Sequence, residues 1–372
     1  MWIRTGLLGI CLALAAGCTG HFVYLPAPEG APGDWTQFGG NATGSALAPV
    51  APEVPLRLWW QQALGGAPVG GPLVEGGLVL QQSANPALHT FDGNTGKRLG
   101  RRGFDAPLCA SALLLGPYLV TGEAGPKPAL RGYDRQGIQK HWSYPGLACA
   151  PLSGRGDTVV AALNAGAVVA LAVADGRCLW RAQLEGPLWA APALGGDAVF
   201  VSDGRQGLVA LEMATGRERW RLDLGGGLRT AAAGKAEVFA ATATGRVLAC
   251  SADSGRVRWQ VELGVPLAAG LALAPGVLVV GAADHCLYGL DTQTGAVRWR
   301  FQTNGVLRGA PAASATAIYA GSSDGYLYAL DRDEGLLRWK YLLDGPALQP
   351  VGLGADLVAI TTEKGTLYVF GK

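Results

Sequence analysis

The chain has 372 residues and a formal net charge of +2, with 30 Lys and Arg scattered among 28 Asp and Glu. A nearly neutral chain without a basic stripe does not suit nucleic acid, which selects clustered positive charge, so we expect no nucleic-acid partner. Glycine occurs 57 times, about twice its usual share, and predicts many tight turns between short strands.

Residues 1–17 are predicted to be a signal peptide. In "MWIRTGLLGICLALAAGC", one Arg precedes a mostly apolar run that is too short for the about 20 apolar residues of a membrane span. The ending "LAAGC" resembles a bacterial lipobox, although Leu14 lies four residues before the cysteine rather than three. The resemblance implies lipidation of Cys18, and Thr19 after it implies the outer membrane. A plain cleaved signal is the alternative.

Residues 18–56 are predicted to be the lipidated N-terminus and a tether. Pro, Gly and Ala are frequent there, as in semi-extended linkers. The stretch "DWTQFGGNATG" at residues 34–44 carries an aromatic pair that a linker does not need. We therefore expect Trp35 and Phe38 to pack on the domain that follows.

From residue 57 onward the sequence repeats with a period of about 40 residues. The unit "GYLYALDRDEGLLRW" at residues 325–339 has an alternating apolar run, an Asp, a Gly and a terminal Trp. Aligned units place Gly100 in this column and otherwise tryptophans, namely Trp142, Trp180, Trp220, Trp259, Trp299 and Trp339. The period is typical of a four-stranded propeller blade, and short runs between turn residues predict strands rather than helices.

The last unit is incomplete, and its missing strand lies at the other end of the repeat region. After Trp339 the chain supplies three predicted strands, whereas "LRLWW" at residues 56–60 is a strand ending at Trp60 with no blade before it. Joining the two removes the exposed sheet edges of an open array. Residues 57–372 are thus predicted to be all-β: an eight-bladed β-propeller of four-stranded antiparallel blades, closed by an N-terminal strand.

Five cysteines lie in the repeat region, and we interpret them as small buried hydrophobic residues: Cys109, Cys149, Cys178, Cys250 and Cys286. Cys109 and Cys149 occupy the same repeat position on the predicted innermost strands of neighbouring units. A disulfide between these two is geometrically conceivable and stays open as an alternative.

Motifs for catalysis are missing from the sequence. The four histidines are isolated, which disfavours a zinc cluster or a nucleophile–base pair: His21, His89, His141 and His285. The acidic residues mostly fill turn positions. We expect no catalytic residue, no metal and no cofactor.

One column at the start of the predicted innermost strand collects unusual side chains. Alignment on "RGAP" at residues 308–311 brings Trp189, Arg229 and Arg308 to one position, where the other units carry Val, Leu or Ala. A planar anionic or aromatic ligand, or a partner strand, fits such a set. Solvated residues at a channel mouth are the alternative.

The unit at residues 325–339 resembles the repeat of the PQQ-like, quinoprotein-type β-propellers, with its A-L-D-x-x-x-G-x-x-x-W core, and "DWTQFGGNATG" resembles their lead-in. The resemblance implies that the tryptophan column, including Trp60, docks neighbouring blades. The same propeller serves quinoprotein dehydrogenases and non-enzymatic scaffolds, so the fold does not decide the function.

The chain resembles the BamB family of lipid-anchored outer-membrane assembly proteins in its size, signal, blade number and lack of catalytic groups. This resemblance implies a non-enzymatic scaffold for β-barrel assembly that binds BamA-type machinery. No contact residue carries over, because "LWAAP" and "LRTAA" replace the acidic loop of that family. The alternatives are another periplasmic propeller that binds a different protein or small ligand, and a quinoprotein dehydrogenase. Such dehydrogenases are longer, with adjacent cysteines and a calcium-binding Asp, Glu and Asn set.

Overall fold

The computed structural model describes residues 34–135 and 139–372 of the chain. Within these ranges every regular element is a β-strand, and the strands form eight sheets of four antiparallel strands each. The sheets are the blades of an eight-bladed propeller, which confirms the fold class predicted from the repeat. The signal peptide and the lipidation of Cys18 lie outside the described residues.

Blades 1 to 4 each use four consecutive strands, ordered from the channel outward. Strand β1 (Arg57–Ala63) precedes them and belongs to blade 8. Blade 1 contains β2 (Pro68–Glu75), β3 (Leu78–Ser83), β4 (Ala87–Asp92) and β5 (Arg98–Gly103), and blade 2 contains β6 (Leu113–Leu115), β7 (Tyr118–Glu123), β8 (Ala129–Asp134) and β9 (Lys140–Pro145). Blade 3 contains β10 (Ser153–Arg155), β11 (Thr158–Ala162), β12 (Ala167–Ala172) and β13 (Cys178–Gln183), and blade 4 contains β14 (Ala193–Gly195), β15 (Ala198–Ser202), β16 (Gly207–Glu212) and β17 (Glu218–Asp223).

Blades 5 to 7 follow the same order, and blade 8 is shared between the two ends of the described chain. Blade 5 contains β18 (Leu228–Ala233), β19 (Glu237–Thr242), β20 (Arg246–Ser251) and β21 (Val257–Glu262), and blade 6 contains β22 (Leu267–Ala274), β23 (Val277–Ala282), β24 (Cys286–Asp291) and β25 (Val297–Gln302). Blade 7 contains β26 (Ala312–Ala313), β27 (Ala317–Gly321), β28 (Tyr326–Asp331) and β29 (Leu337–Leu342), and blade 8 contains β30 (Gly352–Leu353), β31 (Leu357–Thr361), β32 (Thr366–Gly371) and β1.

The hydrophobic core lies between the blades. The middle strands are buried on both faces, as in β12, because each blade is covered by a neighbour on either side. The outermost strands are mostly exposed, and in β13 the one buried residue is Trp180. In the middle strands, alternate residues therefore face the two neighbouring blades, and most of the solvent-facing residues lie on the outermost strands.

Strand β1 closes the ring. It pairs antiparallel with β32, so that Arg57 lies opposite Gly371 and Ala63 lies opposite Thr366. The indole of Trp60 in the same strand donates a hydrogen bond of 2.7 Å to the carbonyl oxygen of Gly93 in blade 1. The structure thus confirms closure by an N-terminal strand.

Six tryptophans of the column contact the next blade in the same way. Each indole N–H donates to a backbone carbonyl oxygen in the turn between the two outer strands of that blade, and the acceptors are Gly93, Val173, Met213, Ala252, Thr292 and Arg332. The glycine of each turn lies against the indole: a Cβ at Gly335 would come within 2.5 Å of Trp299. The donors are Trp60, Trp142, Trp180, Trp220, Trp259 and Trp299.

Two blade contacts differ from these six. Trp339 is half-buried and packs on Phe370 of blade 8, with ring centroids 5.5 Å apart. The outermost strand of blade 8 is β1, from the other end of the propeller region, so no turn joins the two outer strands of that blade and Trp339 has no such turn to contact. Between blades 1 and 2 the column holds Gly100. There the buried Arg135 of blade 2 forms an ion pair with the buried Glu75 of blade 1.

Candidate binding site at the open mouth of the channel

Residues 35–48, here called the plug, run around one end of the central channel. The innermost strands end there, and the plug forms backbone hydrogen bonds with them in blade order. It begins at Trp35, paired with Val74 of blade 1, and reaches Ala48, which donates to Ala313 of blade 7. Between them, carbonyl oxygens of the plug accept hydrogen bonds from Leu114, Leu194, Ala233 and Leu273 of blades 2, 4, 5 and 6.

In blade 3, a side chain of the plug replaces the backbone contact. The Gln37 amide accepts from the N–H of Gly154 at 2.9 Å and donates to the carbonyl oxygen of Gly154 at 3.2 Å. With this contact the plug is bound to seven consecutive blades. It therefore occupies this end of the channel and leaves the opposite end as the open mouth.

The "GGN" of the lead-in makes the tight path of the plug possible. Gly40 has a φ of +74° and lies against the indole of Trp35, where a Cβ would come within 2.5 Å of the ring. The Asn41 carboxamide accepts from the Thr43 hydroxyl at 2.6 Å and donates to the Ser45 hydroxyl at 2.8 Å. These local hydrogen bonds stabilise a turn within residues 18–56, which composition alone predicted to be a tether.

Trp35 and Phe38 lie in different surroundings. Trp35 is buried, with only 3% of its surface exposed, and its backbone pairs with Val74. Phe38 is half-buried and points into the channel, where it lines a cavity of about 240 Å³. Both aromatic residues thus pack on the propeller, and Phe38 forms part of the cavity wall.

The structure brings together the three side chains that the sequence placed in one column. Trp189, Arg229 and Arg308 all line the 240 Å³ cavity that Phe38 also lines. Trp189 and Arg308 lie just before β14 and β26, and Arg229 is the second residue of β18. Because innermost strands begin at the end opposite the plug, these residues surround the open mouth.

The electrostatics of the cavity favour an anion. Arg229 donates to the carbonyl oxygen of Ala268, and it forms no ion pair with a carboxylate among the described residues. Arg308 is exposed and has no hydrogen-bond or ion-pair partner within 34–135 and 139–372. No described Asp or Glu lines the cavity, and Trp189 is 64% exposed. Two arginines without a carboxylate partner among the described residues therefore line the same cavity as an exposed indole.

The cysteines divide into three environments. Cys250 and Cys286 are buried, as expected, and burial raises the pKa of Cys250 to about 12. Cys109 and Cys149 are half-buried, with free thiols. Cys178 is exposed on the outermost strand of blade 3, so the interpretation as a buried residue is wrong for it. A position two residues before the column tryptophan faces solvent, and the repeat alignment could have shown this.

Metal-binding groups and membrane-spanning helices are absent from residues 34–135 and 139–372. Among them, no group of three or more His, Cys, Asp and Glu is arranged to hold a metal ion. In the described part of the chain, no helix is long and apolar enough to cross a membrane. His89 is buried beside Ser83, and His141 lies on the surface beside Asp134.

Comparison with known proteins gives a family match and several structural relatives. The family model described as "Outer membrane protein assembly factor BamB" matches residues 57–187, 164–264 and 243–372. No curated protein matches the chain. The crystal structure of BamB from Moraxella catarrhalis has a TM-score of 0.71 at 16% identity, covering 85% of this chain and 100% of that one.

Quinoprotein enzymes are similar in fold as well. A europium-containing methanol dehydrogenase has a TM-score of 0.76 at 13% identity, covering 92% of this chain and 98% of that one. The quinohemoprotein alcohol dehydrogenase from Comamonas testosteroni has a TM-score of 0.76 at 12% identity, covering 92% and 81%. At these identities the likeness shows the fold alone. The family model, in contrast, spans every blade, and the chain belongs to the PQQ-repeat propeller family described as outer membrane protein assembly factor BamB.

Proposed function

We propose that this protein is a non-enzymatic scaffold of outer-membrane β-barrel assembly, anchored by lipid at Cys18 and facing the periplasm. The observation that carries the proposal is the convergence of Trp189, Arg229 and Arg308 on one open cavity. The family match supports an assembly role, and the plug at the other end of the channel leaves this mouth for a partner.

The chemistry of the mouth defines the partner. An exposed Trp beside two arginines is the kind of side-chain set that dominates protein interfaces. The uncompensated charges of Arg229 and Arg308 favour an acidic segment, bound with its carboxylates on the guanidinium groups and its backbone against Trp189. We propose a periplasmic segment of the BamA-type assembly machinery as that partner.

A dehydrogenase function is the competing enzymatic candidate, because quinoprotein dehydrogenases share the fold. The cavity is lined by Phe38, Trp189, two arginines and Gln349, and no described carboxylate faces it. These side chains offer neither carboxylate ligands for calcium nor a carboxylate base. The donor set therefore supports binding rather than alcohol oxidation.

A small planar anion is the second candidate for the cavity. Its volume of about 240 Å³ accommodates one aromatic ring system between Phe38 and Trp189, with Arg308 close to an anionic substituent. This candidate and the protein partner use the same residues, so a competition experiment separates them.

Crosslinking and capture from native outer membranes tests the proposal. The double variant Trp189→Ala with Arg229→Ala should lose about 2 kcal/mol or more of binding free energy, which is roughly thirtyfold in affinity. The matched control is Leu342→Ala with Arg181→Ala, which removes an exposed apolar and an exposed cationic residue on outermost strands. The control should capture the partner as the wild type does.

Three outcomes contradict the proposal. Equal recovery by the double variant and the wild type, at equal melting temperatures, would move the contact away from the mouth. The small ligand would be favoured by two results together. Arg308→Ala would recover the partner as the wild type does, and an aromatic carboxylate would bind saturably. Oxidation of an alcohol by protein reconstituted with PQQ and calcium would establish an enzyme.

A further inference from the structure

Cys109 and Cys149 face each other across the contact between blades 2 and 3. The Sγ of Cys109 lies 3.3 Å from the carbonyl oxygen of Ala148, and that oxygen belongs to the peptide group that leads into Cys149. The Cys109 sulfur therefore contacts the peptide group that precedes Cys149. Both residues are half-buried and both thiols are free.

The backbones that carry the two cysteines are fixed. The N–H of Cys109 donates to the carbonyl oxygen of Gly122 at 3.0 Å, and the N–H of Cys149 donates to the Asn164 side chain at 3.0 Å. A Cβ at Gly122 would lie 2.5 Å from the carbonyl oxygen of Ala148, so the two blades touch directly here. A disulfide needs two closely placed side chains, and the close approach of the two backbones here places Cys109 and Cys149 on adjoining segments.

The side chains also interact electrostatically. Burial is the main cause that raises the pKa of Cys109 to about 12, and the Cys149 side chain is the next. A thiol held protonated reacts slowly, because the thiolate is the nucleophile. The pair is therefore stable as two thiols in a reducing environment and oxidises faster as pH rises.

We propose that Cys109 and Cys149 are an oxidative modification site, which a small-molecule disulfide converts to an inter-blade disulfide. The thiolate of one cysteine attacks the small disulfide, forms a mixed disulfide and releases one thiolate. The other cysteine attacks the protein sulfur of that intermediate, and the Sγ–Sγ bond forms as the second thiolate leaves. The two thiol protons pass to the two released thiols, and two electrons reduce the small disulfide.

The disulfide joins the innermost segments of blades 2 and 3 at the channel wall. Pro151, two residues after Cys149, lines the cavity at the open mouth, so the bond holds one wall of that cavity. It closes a loop of about 40 residues of the unfolded chain and thereby stabilises the folded state.

Oxidised glutathione is the probe, applied to the full-length folded protein at about pH 8.5, close to the ordinary thiol pKa. Free thiols are then alkylated, and the protein is digested without reductant and analysed by mass spectrometry. We expect one peptide pair joining Cys109 to Cys149, an intact mass lower by two hydrogens, and a melting temperature higher by about 5 °C or more.

Two variants control the assignment. Cys109→Ser should carry glutathione on Cys149, with no linked peptide and no rise in melting temperature. Cys250→Ser removes a buried thiol outside the pair and should keep the linked peptide. Separate glutathione adducts on Cys109 and Cys149 of the wild type, or alkylation of both after exposure to glutathione, would overturn the proposal.

Discussion

Most neighbouring blades are joined by the same indole contact, and the contact between blades 1 and 2 differs from it. At six contacts an indole N–H donates to a turn of the next blade and the ring packs on that turn's glycine. Between blades 1 and 2 the column residue is Gly100, and the buried ion pair of Arg135 and Glu75 lies in the contact. Arg135 also donates to the carbonyl oxygen of Gly116 at 2.9 Å.

Blades 1 and 2 also contain most of the unsatisfied polar atoms. In the part of the chain described, seven buried side-chain polar atoms have no hydrogen-bond partner. Six of them belong to these two blades, on Gln81, Gln82, His89, Thr90, Arg102 and Arg135. The repeated contact combines apolar packing with one satisfied bond, whereas blades 1 and 2 contain desolvated polar groups without a partner, and burying such groups costs free energy. The comparison shows that one ring can contain both apolar and polar contacts between its blades.

Trp299→Ala should have the largest effect, because it removes a mostly buried indole together with its bond to Arg332. We expect a loss of about 3 to 5 kcal/mol in the free energy of unfolding, measured by chemical denaturation. Trp339→Ala is the control, because its half-buried indole has no hydrogen-bond partner among the described residues. Equal losses at both sites would show that the contact with the turn contributes nothing to the free energy of unfolding.

Breaking the ion pair between blades 1 and 2 should be nearly as costly. Arg135→Met leaves the buried Glu75 carboxylate uncompensated, and we expect about 3 kcal/mol of destabilisation. The double variant with Glu75→Leu should recover most of this loss, because no charge then remains unpaired. A double-mutant cycle by urea denaturation measures the coupling, and additive losses would mean that the two residues do not depend on each other.

The buried His89 should make stability depend on pH. Burial, with Arg98 and Arg101 nearby, lowers the pKa of His89 from 6.5 to about 4. As pH falls through 6.5 the unfolded chain takes up a proton that the folded chain takes up only near pH 4, so stability is lost over that interval. The expected loss is roughly 3 kcal/mol relative to His89→Gln. Parallel pH profiles of the two proteins would refute this assignment.

His141→Ala should have the smallest effect, although the residue adjoins the docked Trp142. The His141 side chain is 45% exposed and its Nε2 lies 3.2 Å from a carboxylate oxygen of Asp134. An exposed pair of this kind contributes little, and we expect a change of about 0.5 kcal/mol or less. Thermal denaturation of His141→Ala and of Trp142→Ala gives the measurement. Comparable losses in the two variants would show that His141 faces the neighbouring blade.

Most of the fold was predictable because each blade repeats the same local chemistry. The spacing of turn Gly and column Trp in residues 325–339 recurs in most units, and the incomplete last unit predicted the pairing of β1 with β32. The plug was not predicted, although "GGN" marks a tight turn. Its path depends on hydrogen bonds to seven blades, and no local pattern shows which strands will end beside it.

The candidate site was predictable only as a column of residues. Equivalent positions of a repeat converge near the axis, so Trp189, Arg229 and Arg308 could be placed on one ring of positions from spacing alone. Phe38 of the plug also lines their shared cavity, and it lies 151 residues before Trp189 in the chain. Sequence spacing contains no information about such a contact.

The sequence by itself determined the blade, the number of blades and the closure, because strand alternation, turn glycines and the column tryptophan act within one unit or between adjacent units. Tertiary structure alone decided which mouth is open and which contact between blades is polar. Those features arise from residues such as Glu75 and Arg135, which are distant in the chain and become neighbours only when the blades pack. Packing between distant segments depends on the whole ring, and a local pattern cannot specify it.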